Sequence, residues 1–179
     1  MEVIKTKIEG CYIIKRPFFR DDRGYFSRGF DKKILEENGM YSQFVQSNIS
    51  QNEKRYTLRG LHSQKAPYEE DKLITCTRGK VWDVCVDVRP DSVTYKEYVA
   101  LELTEENGMA LYIPKGCAHG YVTLEDNSQV VYYATQEYKP NSEDCYRFDD
   151  PAFEIDWKCD VKFAIISEKD RGHKFIGDR

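Results

Sequence analysis

Three histidines stand in the chain, at positions 62, 119 and 173, and two of them keep company that invites chemistry. His62 follows Arg-Gly-Leu, and Lys72 opens an apolar run a little further on. His119 lies in Pro-Lys-Gly-Cys-Ala-His-Gly-Tyr, where a proline and two glycines describe a tight loop that aims a side chain. An imidazole with an ordinary pKa of ~6.5 takes or releases a proton at neutral pH, so acid–base chemistry is the first to consider. Tyr132, inside an apolar stretch, and Asp170, in Ser-Glu-Lys-Asp, are the other ionisable groups in odd surroundings. Each has a bland role open to it: a hydrogen-bonded structural histidine, an edge-strand lysine, a core tyrosine.

Other chemistries have weaker support. Jelly-roll barrels of the cupin type hold metals with clustered histidines, but no His-x-His pair occurs here and the histidines lie on separate segments. A metal-dependent cupin enzyme stands as a competing reading. No Gly-x-Ser-x-Gly elbow and no glycine-rich phosphate loop is present. Phosphate contacts would therefore fall to arginines, in "FFRDDRGYFSR" and at Arg59, whose forked donors suit them.

The elements that must hold these groups are mostly strands. Apolar and β-branched runs at 10–19, 72–77, 80–89, 97–104, 109–114 and 128–138 are separated by turn residues at short intervals. From Lys80 to Arg89, Trp82, Val84, Val86 and Val88 alternate with Val81, Asp83, Cys85 and Asp87. The face with two carboxylates suits either solvent or a polar cavity inside a barrel. Residues 31–39, "DKKILEENG", carry helix signals: an aspartate at the start and Asn-Gly as the stop. The pattern predicts one all-β domain over 1–179, an antiparallel jelly roll with short peripheral helices. The apolar patch "FAII" near the C-terminus is expected to dock on it.

Composition sets the class. In 179 residues, 27 basic and 31 acidic side chains leave a charge of −4, with no long block of either sign, so a nucleic-acid partner is not expected. Thirteen tyrosines and nine phenylalanines favour strands and a ring-lined pocket. The six cysteines form no Cys-x-x-Cys, and buried thiols are the expectation. The first residues lack the apolar run of a signal peptide and no stretch is long enough to cross a bilayer, which predicts a cytoplasmic protein without a membrane partner.

Ten phrases, in order, carry a resemblance: "DDRGYF", "FVQSN", "LRGLHSQ", "DKLI", "RGKVWDVCVDVRPDS", "ELT", "YIPKGCAHGY", "YYATQEYKPNSE", "DDPAFEIDW" and "SEKD". Together they resemble the dTDP-4-dehydrorhamnose 3,5-epimerase family, from about Phe18 to Asp170. The resemblance implies a dimeric cupin-like barrel with N-terminal strands exchanged between subunits. It also implies inversion of C3, C5 or both in a nucleotide-linked 4-keto-6-deoxysugar, without metal or organic cofactor, in deoxysugar biosynthesis for surface polysaccharide or glycoside. By resemblance His62 is the base, Asp170 its orienting carboxylate, Lys72 the cation at the C4 oxygen, His119 a nearby hydrogen-bonding group and Tyr132 the opposite-face acid. Asp83 is a candidate to orient His119. The diphosphate falls to Arg23 and Arg59, polar contacts to Gln46, Asn48, Glu143 and Lys169, and base stacking to Tyr138.

Departures from the family pattern are Arg28 for a glutamate, Ser47 for an aspartate, Ser63 for a tyrosine, and "EDKL" for Gln-Gly-Lys-Leu. They touch the nucleotide end and the sugar rim, leaving dTDP, GDP and CDP carriers and hexose or heptose open. A catalytically inactive nucleotide-sugar binding module is the other alternative. Survival of His62, Lys72, Tyr132 and Asp170 together favours the enzyme.

Overall fold

The computed structural model, which describes residues 1–178, lays two antiparallel sheets face to face. Thirteen strands are present: β1 (Glu2–Lys5), β2 (Tyr12–Lys15), β3 (Phe19–Asp21), β4 (Gly24–Phe26), β5 (Gln46–Asn52), β6 (Leu58–Gln64), β7 (Lys72–Arg78), β8 (Lys80–Asp87), β9 (Tyr98–Thr104), β10 (Met109–Ile113), β11 (Cys117–Thr123), β12 (Ser128–Ala134) and β13 (Glu143–Cys145). One sheet runs β1-β2-β10-β7-β12-β5 and the other β13-β6-β11-β8-β9, while β3 and β4 form a separate two-stranded hairpin. Between the sheets Ile74, Val81, Cys85, Leu103, Leu111 and Val130 form the central core.

Strand β8 shows how the pattern becomes a layer. Val81, Asp83, Cys85 and Asp87 are all buried, so the carboxylate-bearing face looks into the sandwich, not into solvent. On the opposite face Trp82 and Val88 at the ends are partly exposed, but the middle is covered too, because Val84 and Val86 pack beneath Phe148, Phe153 and Trp157 of the C-terminal segment. Each such ring contributes roughly 1.5–3 kcal/mol by leaving water, so this segment is part of the domain. The "FAII" patch docks by alternation: Ala164 and Ile166 are buried, Phe163 and Ile165 exposed, and the backbone of Ile165 bonds to Tyr56 and Leu58.

The predicted helix is α1 (Lys32–Glu37), capped by the Asp31 carboxylate, which accepts from the backbone N–H groups of Lys33 and Ile34. Its Leu35 packs with Ile14, Leu73 and Tyr112 on the outer face of the six-stranded sheet. Four corrections follow. The segment around His119 is not a loop: after a turn at Gly116 (φ +78°) it enters β11 at Cys117. Strands β5 and β6 are present where no strand is predicted, because the side chains they turn into the cavity, Gln46, Asn48, Ser50, Arg59 and His62, are polar and leave no apolar period. The run at 10–19 divides into β2 and β3, and the run at 128–138 ends at Ala134. A second helix, α2 (Glu168–Arg171), carries Asp170. Among the described residues no helix is long and apolar enough to cross a membrane.

Candidate active site

A cavity of about 430 Å³ opens between the two sheets. Gln46, Asn48 and Ser50 on β5, Tyr132 on β12 and Lys72 on β7 line it from the six-stranded sheet; Arg59 and His62 on β6 with His119 and Tyr121 on β11 line it from the other. Period-two alternation explains β5, where Gln46, Asn48 and Ser50 point one way and Ser47 and Ile49 the other, into solvent.

Alternation alone would send Arg59 and His62, three residues apart, to opposite faces. A β-bulge brings both into the cavity: His119 pairs with His62 and Tyr121 with Arg59, two intervening residues on β6 opposing one on β11. Glycines permit the close approach. Gly60 has φ +129°, and a Cβ there would lie 2.5 Å from the Cα of Gly120, while one on Gly120 would lie 2.9 Å from the Arg59 carbonyl oxygen.

His62 is held from outside its own sheet. The N-cap Ser167 hydroxyl accepts from the Asp170 N–H and starts α2, which delivers the Asp170 carboxylate 2.8 Å from His62 Nε2. The other carboxylate oxygen accepts from the Gly60 N–H at 3.4 Å. Burial pushes the Asp170 carboxyl up, but His62 and the Gly60 N–H outweigh it and hold the group below the usual aspartate value. An ionised acceptor places the His62 proton on Nε2 and leaves the lone pair on Nδ1. His62 keeps 41% of its side chain exposed to the cavity, Asp170 only 6%.

The remaining polar groups are paired. Lys72 Nζ lies 2.9 Å from Glu70 Oε1, both nearly buried in the cavity wall. His119 Nε2 lies 3.1 and 3.0 Å from the two oxygens of the fully buried Asp83, whose carboxyl is pushed up by burial despite the imidazole. Burial, then the Glu70 charge, raises the Tyr132 phenol, which therefore stays a proton donor at neutral pH. Arg59 Nε donates to Asn52 Oδ1 at 2.8 Å, and Tyr121 shares a 2.7 Å hydrogen bond with Ser50. The Ser63 hydroxyl donates to the Asp144 carbonyl at 2.6 Å. At the mouth Glu143 accepts from Tyr138 at 2.7 Å and pairs with Lys169 at 2.6 Å, and Gln46 accepts from the Tyr138 N–H at 2.7 Å.

Four expected binding residues do not line this cavity; one of them, Lys169, sits at its rim and reaches it only through Glu143. Arg23 sits on the exposed β3–β4 hairpin and pairs with Asp21 at 2.6 Å. Arg28 pairs with Asp31 near Phe19 and Phe26. Ser47 faces away because its strand alternates. Sequence reading did not single out Ser50, Asn52, Tyr121 or Cys145, and it touched Glu70 only through the "EDKL" departure and His173 only as a possible metal ligand. Only the even spacing of Ser50 and Asn52 from Gln46 carried a signal. Among the described residues, donor atoms of His62, Cys145 and His173 lie within 4.8 Å of one another, and His119 is not among them.

The model of the dTDP-4-dehydrorhamnose 3,5-epimerase family matches residues 5–178. The chain belongs to this family. The epimerase of Methanothermobacter thermautotrophicus is 42% identical over 172 residues, covering 96% of this chain and 92% of that one. The crystal structure of dTDP-4-dehydrorhamnose 3,5-epimerase from Elizabethkingia anophelis superposes with a TM-score of 0.94 at 39% identity, covering 100% of this chain and 98% of that one. The dTDP-6-deoxy-D-glucose-3,5-epimerase of Legionella pneumophila, solved in complex with dTDP-4-keto-L-rhamnose, gives 0.92 at 36% identity, covering 98% of this chain and 93% of that one. The fold is the cupin-like jelly roll of these epimerases, and the chain is an isomerase: an epimerase of nucleotide-linked 4-keto-6-deoxysugars. In this epimerase β6, which carries His62, and β12, which carries Tyr132, belong to opposite walls.

Proposed function

We propose that the protein inverts C3, C5 or both in a dTDP-linked 4-keto-6-deoxyhexose, using its own side chains and no cofactor. The observation that carries this is the His62–Asp170 pair on one wall of the cavity with the Tyr132 phenol on the other. The proton alpha to the C4 ketone passes to His62 Nδ1, and the C–H electron pair moves to make an enolate. The imidazolium that forms is stabilised by Asp170. Lys72 supplies positive charge at the enolate oxygen, assisted by His119, whose orientation Asp83 holds. Tyr132 then delivers its proton to the opposite face, and the tyrosinate and imidazolium return to their starting states through solvent. A base below and an acid above convert exchange into inversion.

The nucleotide lies toward the mouth, where Tyr138 offers an exposed ring for stacking and Gln46, Asn48, Glu143 and Lys169 offer polar contacts. Arg59 takes the diphosphate. Arg23 acts in the neighbouring subunit's cavity, because the hairpin that carries it extends from the barrel with Phe19, Tyr25 and Phe26 exposed. That exposed ring surface supports a homodimer with N-terminal strands exchanged. Cysteines outside any disulfide among the described residues support a reducing cytoplasm.

The test is incubation in deuterated water with dTDP-, GDP- and CDP-linked 4-keto sugars, reading deuterium at C3 and C5 by NMR. The dTDP-linked 4-keto-6-deoxyhexose is expected to gain deuterium at an inverted carbon, and His62→Asn to lose exchange by ~100-fold or more. Undiminished exchange in that variant would give the base role to another residue.

A further inference from the structure

His62 Nε2 and His173 Nε2 converge on one oxygen, Asp170 Oδ1, at 2.8 and 3.3 Å. Cys145 is the register partner of His62 across β13 and β6, which sets its thiol beside the same imidazole. Together the two rings and the thiol bring donor atoms within 4.8 Å of one another, with the Asp170 carboxylate touching both rings. His173 Nε2 is buried and has no partner among the described residues beyond the long 3.3 Å contact with the Asp170 carboxylate. A buried nitrogen in that condition is uncommon and calls for an explanation. A second cavity, of about 270 Å³, is lined by Glu143, Cys145, Gly172, His173 and Lys174. Glu143 also lines the principal cavity, so the group sits between two solvent-filled openings and an ion can reach it from either.

We infer that His62, Cys145 and His173 form a three-donor site for a borderline-soft divalent cation such as Zn²⁺, with solvent completing its shell, and that its occupation switches the enzyme off. Two imidazoles and a thiolate are donors Zn²⁺ prefers, and alkaline-earth ions disfavour the sulfur. Tetrahedral bonds of ~2.0–2.3 Å require the donors to close in by roughly 1 Å, which side-chain torsion of His173 and Cys145 supplies. The thiol proton leaves to solvent as the sulfur coordinates. The inhibitory consequence rests on His62 being the base. If Nδ1 coordinates, its lone pair is no longer available to the substrate. If Nε2 coordinates, the hydrogen bond to Asp170 is broken.

The experiment uses the full chain, kept reduced by a phosphine, with Zn²⁺ and Co²⁺ as probes. Equilibrium dialysis is expected to find one Zn²⁺ per chain. Cys145→Ser and His173→Gln should each weaken Zn²⁺ binding ~10-fold or more, with circular dichroism unchanged. The Co²⁺ form should show a thiolate-to-cobalt charge-transfer band that Cys145→Ser lacks. Deuterium exchange into the substrate should stop with Zn²⁺ and return with a chelator, whereas Cys145→Ser should turn over like the native chain and resist Zn²⁺. An unchanged Zn²⁺ affinity in folded Cys145→Ser, a Co²⁺ spectrum without the thiolate band, or binding that leaves exchange untouched each overturns the inference. Binding as described by a chain whose metal-free form exchanges nothing keeps the metal site and removes the epimerase mechanism instead.

Discussion

At the scale of single residues the proposed mechanism separates taking a proton from giving one. Asp170 spends one oxygen on the imidazole and the other on the Gly60 N–H, so it holds His62 in place and, in that mechanism, would balance the imidazolium. Asp170→Asn keeps the shape but removes the charge. Its kcat is expected to fall ~100-fold or more with KM little changed, and steady-state kinetics on the 4-keto substrate will read this. Tyr132→Phe removes only the opposite-face donor. Deuterium should still wash into the substrate at a rate near native, while the inverted product falls to background by NMR; parallel loss of both would end the two-wall mechanism.

Strands and their irregularities decide where those residues point. The bulge between β6 and β11 works only because two glycines meet there, so Gly60→Ala or Gly120→Ala is expected to cost about 1–3 kcal/mol and to lower the melting temperature. Native stability in Gly120→Ala would show that the strands can move apart. At the end of β8 the buried Asp87 is pushed up by desolvation, but Arg89, Ser92 and Thr94 outweigh that and hold its carboxyl down at about 2. A carboxyl depressed in the folded state stabilises fully above its unfolded value of ~3.9, and that stability is lost as pH falls toward the folded value. The difference corresponds to roughly 2–3 kcal/mol. Urea titrations should show Asp87→Asn costing that much near neutrality and progressively less below pH ~4.

For the molecule as a whole, the proposed dimer would cover the exposed Phe19, Tyr25 and Phe26 of the hairpin and the exposed Val45 just before β5 and Ile49 within it. Sedimentation is expected to give twice the chain mass of 21.0 kDa. Phe19→Ser with Phe26→Ser should yield a monomer that binds the nucleotide sugar more weakly, because Arg23 then has no neighbour's cavity to enter. A native chain that sediments as a monomer would return Arg23 to the role of a surface ion pair with Asp21.

Much of this protein was legible in its residues because burial writes a period into sequence. The runs that became β7 to β10 alternate or stay apolar, and Asp31 before "KKILEE" announces a helix cap. Ordered motifs pointed to the family and to His62, Lys72, Tyr132 and Asp170. Strands that face a cavity carry polar side chains and leave no such period, so β5 and β6 had to be seen, and with them the outward turn of Ser47. A bulge is a relation between two strands, so neither strand alone encodes that Arg59 and His62 share a wall. The same holds for His62, Cys145 and His173. They are far apart along the chain, and only the pairing of β13 with β6 and the docking of α2 bring their donor atoms together. Residue types set which chemistry was possible; long-range strand pairing decided which of those residues meet.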